Sequence, residues 1–167
     1  MRFNIRKSGV GFVAALVGSL ALSPVGAWAE PTPTYLDNRS TPQSLVASYY
    51  NAINQKQYVR AYSYFSHGAA PTGFKAWATG YETTQHVSIK MGDTYPDPGA
   101  GQIYWALPVA LSVVSTDGPP AVYAGCYHLH LTSVSMQIEP PFVPMSIQSA
   151  TLKKSSLAFE EAVPSSC

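Results

Sequence analysis

The sequence predicts an α+β domain in which N-terminal helices pack on one face of a curved antiparallel sheet. Between residues 42 and 79 apolar side chains recur at the i, i+3, i+4, i+7 spacing of helices. After Tyr81 the apolar period changes to two, which is typical of half-buried strands. Because the helical segments come first and the strands follow, the two element types segregate, as in α+β folds. A length of 167 residues suits one such domain.

The first helix is predicted over Pro42–Asn54. Thr41 supplies a capping hydroxyl, and the proline that follows it suits the first helical position. The apolar stripe of this helix consists of Leu45, Val46, Tyr49 and Ile53.

Two shorter helices are predicted after polar breaks. One covers residues 58–65, where Tyr58, Ala61, Tyr62 and Phe65 repeat the helical spacing. The other covers residues 72–79, and Gly80 suits its C-terminal cap.

Four strands are predicted next, around residues 86–91, 102–115, 122–133 and 145–153. A turn-rich loop separates the first two, and Thr116-Asp117-Gly118 gives a hairpin signal between the second and third. Pro108 cannot donate a ladder hydrogen bond, so it predicts a bulge or a locally unpaired edge in the second strand. The apolar face of that strand carries Ile103, Trp105, Leu107, Val109, Leu111 and Val113.

Residues 1–29 are predicted to be a secretory signal peptide. They combine a basic start, an apolar run of about 13 residues and the small residues Ala27 and Ala29 at the positions that a signal peptidase reads. The apolar run falls short of the ~20 residues that span a bilayer, so no stable membrane insertion is expected after cleavage. The mature chain is predicted to have a flexible lead-in over residues 30–40 and a single domain over residues 41–167. It is expected to be exported, to the periplasm or the extracellular space.

The charge of the chain disfavours a polyanionic partner. The formal charge is +1, and only 11% of the residues are charged. Removal of residues 1–29 leaves seven basic and nine acidic residues, which gives a charge of −2. No nucleic acid is therefore expected as a partner.

Cys126 and Cys167 are the two cysteines of the sequence. An even pair in an oxidising compartment predicts one disulfide, which would tether the C-terminal tail to a strand. A reactive thiol or a metal ligand is the alternative, but the sequence offers no C-x-x-C motif to support it.

Residues 41–54, with T-P-Q-S-L and Y-Y-N-A-I-N, and residues 58–65 resemble the first two helices of the nuclear-transport-factor-two-like (cystatin-like cone) superfamily. Residues 80–89, 108–113 and 123–127 look like those of exported bacterial members without an assigned activity, and residues 147–152 fit the closing strand. The resemblance implies a helix-backed curved sheet with a pocket between the two layers, and often a dimer through the sheet. It does not imply a reaction, because the fold hosts isomerases, dehydratases, cyclases and interaction modules.

Catalytic members of that superfamily use a carboxylate or a His–Asp pair inside the cone. The strands predicted over residues 102–115 and 122–133 contain no Asp or Glu. Glu82, Asp93, Asp97 and Asp117 fall at strand ends or in turns. The sequence therefore favours a domain without catalytic activity, and the alternative is a lyase or isomerase that uses His86 or a tyrosine as acid or base.

His128 and His130 share one face of a strand, and with His86 they have the residue types of a zinc site. Because the apolar residues of that strand occupy the other face, we predict that both lie on the outer face and hold no metal. No cofactor is expected, since the sequence lacks a Gly-rich phosphate loop.

Eleven tyrosines would suit a pocket lined by rings and few charges. We predict that such a pocket binds a small apolar ligand, or that the domain binds an envelope protein partner; an ordinary aromatic core is the alternative. The uncharged outer sheet face, with Tyr104, Ala106, Pro108 and Ala110, would suit a homodimer or a structural envelope component. The pocket candidates are Tyr49, Tyr62, Trp77, Trp105, Tyr123 and Tyr127.

Overall fold

The computed structural model describes residues 34–167, so the predicted signal peptide over residues 1–29 lies outside the described residues. Within the described range, the α-helices precede the strands, which confirms the predicted α+β class. The α-helices are α1 (Pro42–Asn54), α2 (Tyr58–Tyr62) and α3 (Phe74–Thr79), and short 3-10 helices cover Val134–Met136 and Phe159–Glu161. The strands are β1 (Thr84–Met91), β2 (Asp97–Gly99), β3 (Gln102–Ser115), β4 (Ala121–Thr132) and β5 (Ser146–Ser155). Among these residues no helix is long and apolar enough to cross a membrane.

Helix α1 begins and ends where the sequence predicts. The hydroxyl oxygen of Thr41 accepts a hydrogen bond from the backbone N–H of Ser44 at 3.1 Å, which caps the first turn. At the other end, the Asn54 side chain bonds both the N–H and the carbonyl of Val87, at 2.8 and 2.9 Å. These two bonds fix the end of α1 against β1.

The sheet is antiparallel in the order β1-β3-β4-β5, and β2 pairs with β3. The register places Leu107 opposite Tyr127, and both face the helices on what we call the inner face. Tyr104, Ala106 and Pro108 lie on the opposite, outer face, beside His130, His128 and Cys126 of β4. The alternation in the sequence therefore predicts both faces.

Pro108 lies where β3 lacks a neighbouring strand on one side. Strand β1 pairs with β3 from Val109 onward, and β2 pairs with it only as far as Tyr104. The carbonyl of Pro108 faces this gap and accepts a hydrogen bond from Gly92 N–H at 2.9 Å. Since the nitrogen and oxygen of a strand residue point to the same side, the missing N–H interrupts no ladder. The predicted locally unpaired edge is confirmed.

Two helix boundaries and one added strand are the largest differences from the sequence prediction. Helix α2 ends three residues early, because the chain turns there and Phe65 forms a parallel bridge with Ile147 of β5. Helix α3 begins at Phe74 instead of residue 72. The predicted loop before β3 contains the short strand β2.

Residues 34–40 lie against α1, although we predict a flexible segment over residues 30–40. The N–H of Leu36 donates to the side-chain oxygen of Asn51 at 3.1 Å, and the N–H of Asn38 donates to the Ser48 hydroxyl at 2.8 Å. Polar side chains of α1 thus satisfy backbone groups that a loose arm would leave to water.

The C-terminal tail crosses the outer face. Lys90 of β1 forms an ion pair with Glu160 of the tail at 2.6 Å. Ala110 is fully buried although it belongs to the outer face. A disulfide joins Cys126 to Cys167, as predicted, and holds the tail on β4. The part of the outer face near Tyr104 stays open, whereas the Pro108–Ala110 part of the predicted dimer surface is buried.

Strand β5 forms one edge of the sheet. At its start, residues 64–66 cover the strand, since Ile147 N–H donates to Tyr64 and Ser66 N–H donates to the Ile147 carbonyl, at 2.8 and 2.9 Å. Farther along, the exposed Lys153 and Lys154 occupy this strand.

Candidate functional site

The interior between the helices and the sheet contains a set of contacting aromatic rings. Tyr49 is 1% exposed, and five neighbouring rings lie with their centroids 4.9–6.4 Å from its own. Most of these pairs meet edge to face, which is a favourable geometry for aromatic rings. We call the set the aromatic cluster; it comprises Tyr49, Tyr50, Tyr58, Tyr62, Tyr64, Phe65, Trp77, Tyr81 and Tyr127.

Paired hydroxyls satisfy Tyr49, Tyr50 and Tyr127, whereas the hydroxyl of the buried Tyr64 donates to the Asp37 carboxylate at 2.9 Å. The hydroxyl oxygens of Tyr49 and Tyr81 lie 2.7 Å apart, and those of Tyr50 and Tyr127 lie 2.6 Å apart. One member of each pair donates and the other accepts. Among the described residues, no buried side-chain nitrogen or oxygen lacks a hydrogen-bond partner.

Burial raises the pKa of Tyr49, Tyr50 and Tyr127 well above 10. Loss of hydration is the main cause, since it disfavours the tyrosinate, and repulsion from neighbouring tyrosines in their charged form adds to it. At neutral pH these groups are therefore protonated and uncharged. They can donate and accept hydrogen bonds, but they hold no negative charge with which to abstract a proton.

The structure brings together four of the six predicted pocket residues. Tyr49, Tyr62, Trp77 and Tyr127 meet in the aromatic cluster in ring-to-ring contact. Tyr123 packs half-buried against the same core. Trp105 also packs against the core, and it borders a groove on the other side of the sheet.

That groove lies on the outer face and has a volume of about 590 Å³. Ala106 and Pro108 of β3 form its floor. One wall is the segment between β1 and β3, with Asp93, Thr94, Tyr95 and Asp97, and the other consists of His128 and tail residues 165–167. We call this site the outer groove.

Two hydrogen bonds hold the first wall beside the floor. The Thr94 hydroxyl donates to the carbonyl of Ala106 at 2.8 Å, and the bond from Gly92 N–H to the Pro108 carbonyl lies two residues along. At the far end, Cys126 stands opposite Pro108 and carries the disulfide to the tail. The second wall is therefore covalently attached to the sheet.

A polar and aromatic row crosses the open end of the outer groove. Asp97 stands opposite Tyr104 in the pairing of β2 with β3, and directly opposed residues project from the same face. On its other side, Tyr104 stands opposite His130, with the two ring centroids 4.9 Å apart. His130 is held in turn by a hydrogen bond to the side-chain oxygen of Gln102 at 2.5 Å.

The groove presents free carboxylates and exposed rings. Asp93 and Asp97 are exposed, and neither side chain has a hydrogen-bond or ion-pair partner among residues 34–167. Tyr95 is 80% exposed and Tyr104 is 47% exposed. The residues lining the groove include no Lys or Arg.

The histidines lie apart from the aromatic cluster. His67, His86 and His128 are exposed, and His130 lies on the outer face with His128. In the part of the chain that the structure describes, no three His, Cys, Asp or Glu side chains are grouped as metal ligands.

Sequence reasoning missed the outer groove. The segment from Asp93 to Asp97 reads as a turn-rich loop, and its acidic and aromatic composition was the available signal. The tail that forms the opposite wall is about 70 residues away in sequence. The disulfide, the sheet register and the ion pair of Lys90 with Glu160 bring the two walls together.

Comparisons with known proteins give a structural likeness without a sequence match. No protein-family model matches the chain, and neither does any curated protein. Two solved structures from Novosphingobium aromaticivorans resemble it. One, a provisionally assigned aromatic ring hydroxylase, has a TM-score of 0.50 and 13% identity over 70% of this chain and 92% of that chain. The other, a provisionally assigned scytalone dehydratase, has a TM-score of 0.47 and 14% identity over 68% of this chain and 80% of that chain.

At such identities a structural likeness shows the fold and not the reaction. The helix-backed antiparallel sheet, the segregated order of elements and the likeness to the first of these structures agree. The chain therefore has the α+β fold that its resemblance to the nuclear-transport-factor-two-like superfamily implies.

Proposed function

We propose that this chain is an exported binding domain without catalytic activity, and that its ligand site is the outer groove. The observation that carries the proposal is the exposure of Tyr95 and Tyr104 in a groove of about 590 Å³, beside two carboxylates that have no partner among residues 34–167. This volume falls within the range of small-molecule sites in proteins. Large exposed aromatic side chains around a concavity are characteristic of binding surfaces.

The packing of the interior supports an outer site over an inner one. The aromatic cluster places its rings in mutual contact, and the hydroxyls of Tyr49, Tyr50 and Tyr127 bond to other tyrosine hydroxyls of the cluster. A ligand between the layers would have to break these contacts and open a cavity, which costs the packing free energy of the displaced rings.

The chemistry of the charged groups supports binding over catalysis. A general base needs a pKa near the operating pH and a neighbour that orients it. Burial raises the pKa of the inner tyrosines, which keeps them protonated. The carboxylates of Asp93 and Asp97 lack an orienting partner among the described residues.

The disulfide supports the export part of the proposal. Structural disulfides persist in oxidising compartments and are rare in reducing ones. The Cys126–Cys167 bridge also forms part of the groove wall, so the proposed site is complete only where that bridge is stable.

Fragment binding followed by NMR tests this proposal. The full chain is expressed with its own leader, the exported product is purified, and a library of small polar and aromatic fragments is titrated into it. We expect chemical-shift changes at the Thr94, Ala106 and His128 amides, and we expect Tyr104→Ala to remove them. Tyr35→Ala, a matched change at an exposed ring on the lead-in, should leave binding intact. Shifts confined to the aromatic cluster, or no binder at all, would overturn the proposal.

A further inference from the structure

We propose that the outer groove selects an organic cation, that is, an ammonium or guanidinium group on a short apolar stem. This inference rests on the proposed binding function of the groove. It goes further because it specifies the charge and shape of the ligand.

The charge of the surrounding chain is the first argument. Between Lys90 and Lys153 the sequence contains no Lys or Arg, whereas it contains Asp93, Asp97, Asp117 and Glu139. Two of these carboxylates line the groove. A cleft lined by one sign of charge attracts ions of the other sign. Because no residue of the described chain pairs with Asp93 or Asp97, their charge remains available to a ligand.

The same chain already holds a guanidinium against the same two kinds of group, a carboxylate and a tyrosine ring. Arg39 contacts the Asp37 carboxylate at 3.4 Å, and its guanidinium carbon lies 4.2 Å from the ring centroid of Tyr64. A carboxylate and a tyrosine face thus contact one guanidinium, which also donates to the carbonyl and the hydroxyl of Ser63 at 3.1 Å. The outer groove repeats this combination with Asp97 and Tyr104, which are direct neighbours across β2 and β3, and supplies no cation of its own.

The floor of the groove gives the second part of the specificity. Ala106 and Pro108 are small and apolar, and no charged side chain lies between them on the outer face of β3. An aliphatic stem of a few carbons can lie on such a floor while its charged head reaches Asp97 and Tyr104. This separation of an apolar floor from a charged end favours an amphipathic cation over a fully hydrated inorganic ion.

A pair of ligands that differ only in charge tests the inference. Butylguanidinium and its neutral isostere butylurea are titrated separately into the exported full-chain protein, and binding is followed by NMR shifts of groove amides. We expect butylguanidinium to bind at least about 10-fold more tightly, since one charge-assisted contact distinguishes the two. Added salt should weaken the binding of butylguanidinium and leave the binding of butylurea unchanged.

Two variants complete the test. Asp97→Asn should lower the affinity for butylguanidinium about 5- to 10-fold and leave the affinity for butylurea unaffected. Asp117→Asn makes the same change in the turn between β3 and β4, outside the groove, and should alter neither ligand. Thermal unfolding of both variants checks that they fold.

The outcomes separate the inference from the function on which it rests. Equal affinity for the two ligands, or an unchanged affinity in Asp97→Asn, overturns the cation inference and leaves the groove a binding site for neutral molecules. If butylguanidinium does not bind while a neutral fragment binds in the groove, the cation inference is likewise overturned. If no probe of either kind shifts a groove amide, both the inference and the proposed function are wrong.

Discussion

Tyr50 of α1 and Tyr127 of β4 bring their hydroxyl oxygens to 2.6 Å of each other in the core, where the two residues are 3% and 2% exposed. The bond joins the first helix to the sheet across 77 positions of sequence. Because both residues are buried, water does not replace a lost partner, and each hydroxyl depends on the other for its hydrogen bond.

We predict that removing one of these hydroxyls costs more than removing both. Tyr50→Phe and Tyr127→Phe should each lower the free energy of unfolding by about 1–3 kcal/mol, because the remaining hydroxyl is left buried and unpaired. The double variant should regain much of that loss. Urea unfolding of the wild type, the two single variants and the double variant gives the coupling free energy between the two hydroxyls. Tyr95→Phe at an exposed ring serves as the control. Strictly additive losses would contradict the pairing.

Alkaline pH should destabilise the fold. Burial raises the pKa of Tyr49, Tyr50 and Tyr127, whereas tyrosines of the unfolded chain ionise near 10. Above that pH the folded state keeps protons that the unfolded state releases, so stability is flat below about pH 9 and falls as the pH rises beyond 10. Each such tyrosine contributes a slope of up to about 1.4 kcal/mol per pH unit.

Two measurements check this pH dependence. The urea midpoint should decrease between pH 9 and 11 if about three tyrosines retain their protons on folding. Absorbance of tyrosinate should show the exposed tyrosines titrating first and the buried ones only as the protein unfolds. A midpoint that stays constant through this range would show that the buried hydroxyls ionise as freely as those of the unfolded chain.

Gly125 is predicted to be irreplaceable in β4. A Cβ at this position would lie 1.9 Å from the carbonyl oxygen of Thr151 on β5, which is far inside contact distance. Gly125→Ala should therefore force β4 and β5 apart and lower the free energy of unfolding by more than about 2 kcal/mol. Gly118→Ala places the same methyl group in open space in the β3–β4 turn and should change it by less than about 0.5 kcal/mol. Equal effects of the two substitutions would rule out the close approach.

Loss of the disulfide should loosen the tail and weaken the protein. The bridge spans 41 positions, and removing such a crosslink from a small domain costs about 2–4 kcal/mol. In Cys126→Ser with Cys167→Ser, amide hydrogen exchange of Ala110 and Ala162, both buried at present, should accelerate. Wild-type protein treated with a reductant should behave like the double variant. Unchanged exchange at both alanines would show that the ion pair of Lys90 with Glu160 is enough to hold the tail.

Local signals account for the parts of the fold that could be predicted from sequence. Helix α1 has a capping threonine, a proline at the first turn and an apolar stripe, and all three act within a few residues. The two faces of β3 and β4 follow from strict alternation. By contrast, Asp97-Pro98-Gly99 has no strand propensity of its own, and β2 exists because β3 offers it a partner.

The candidate site depended on longer-range information. The helical period of α1 and the alternation of β4 show that Tyr49 and Tyr127 point inward, but neither pattern says whether inward rings touch each other or surround a cavity. That outcome depends on how closely α1 approaches the sheet, which the Tyr50–Tyr127 bond and the Asn54–Val87 bonds set across long stretches of sequence. The outer groove depends on a tail whose course follows the disulfide rather than any local pattern.

The covered and charged edge of strand β5 has a consequence for the behaviour of the protein at high concentration. An uncovered edge strand is a template on which further copies can add as strands, and this is a common start of fibrils. Here residues 64–66 already form hydrogen bonds with the beginning of β5. Toward the end of β5, Lys153 and Lys154 carry like charges, which would repel each other if the edges of two copies paired. The chain should therefore resist fibril formation through β5, and neutralising those two lysines should make it more prone to polymerise.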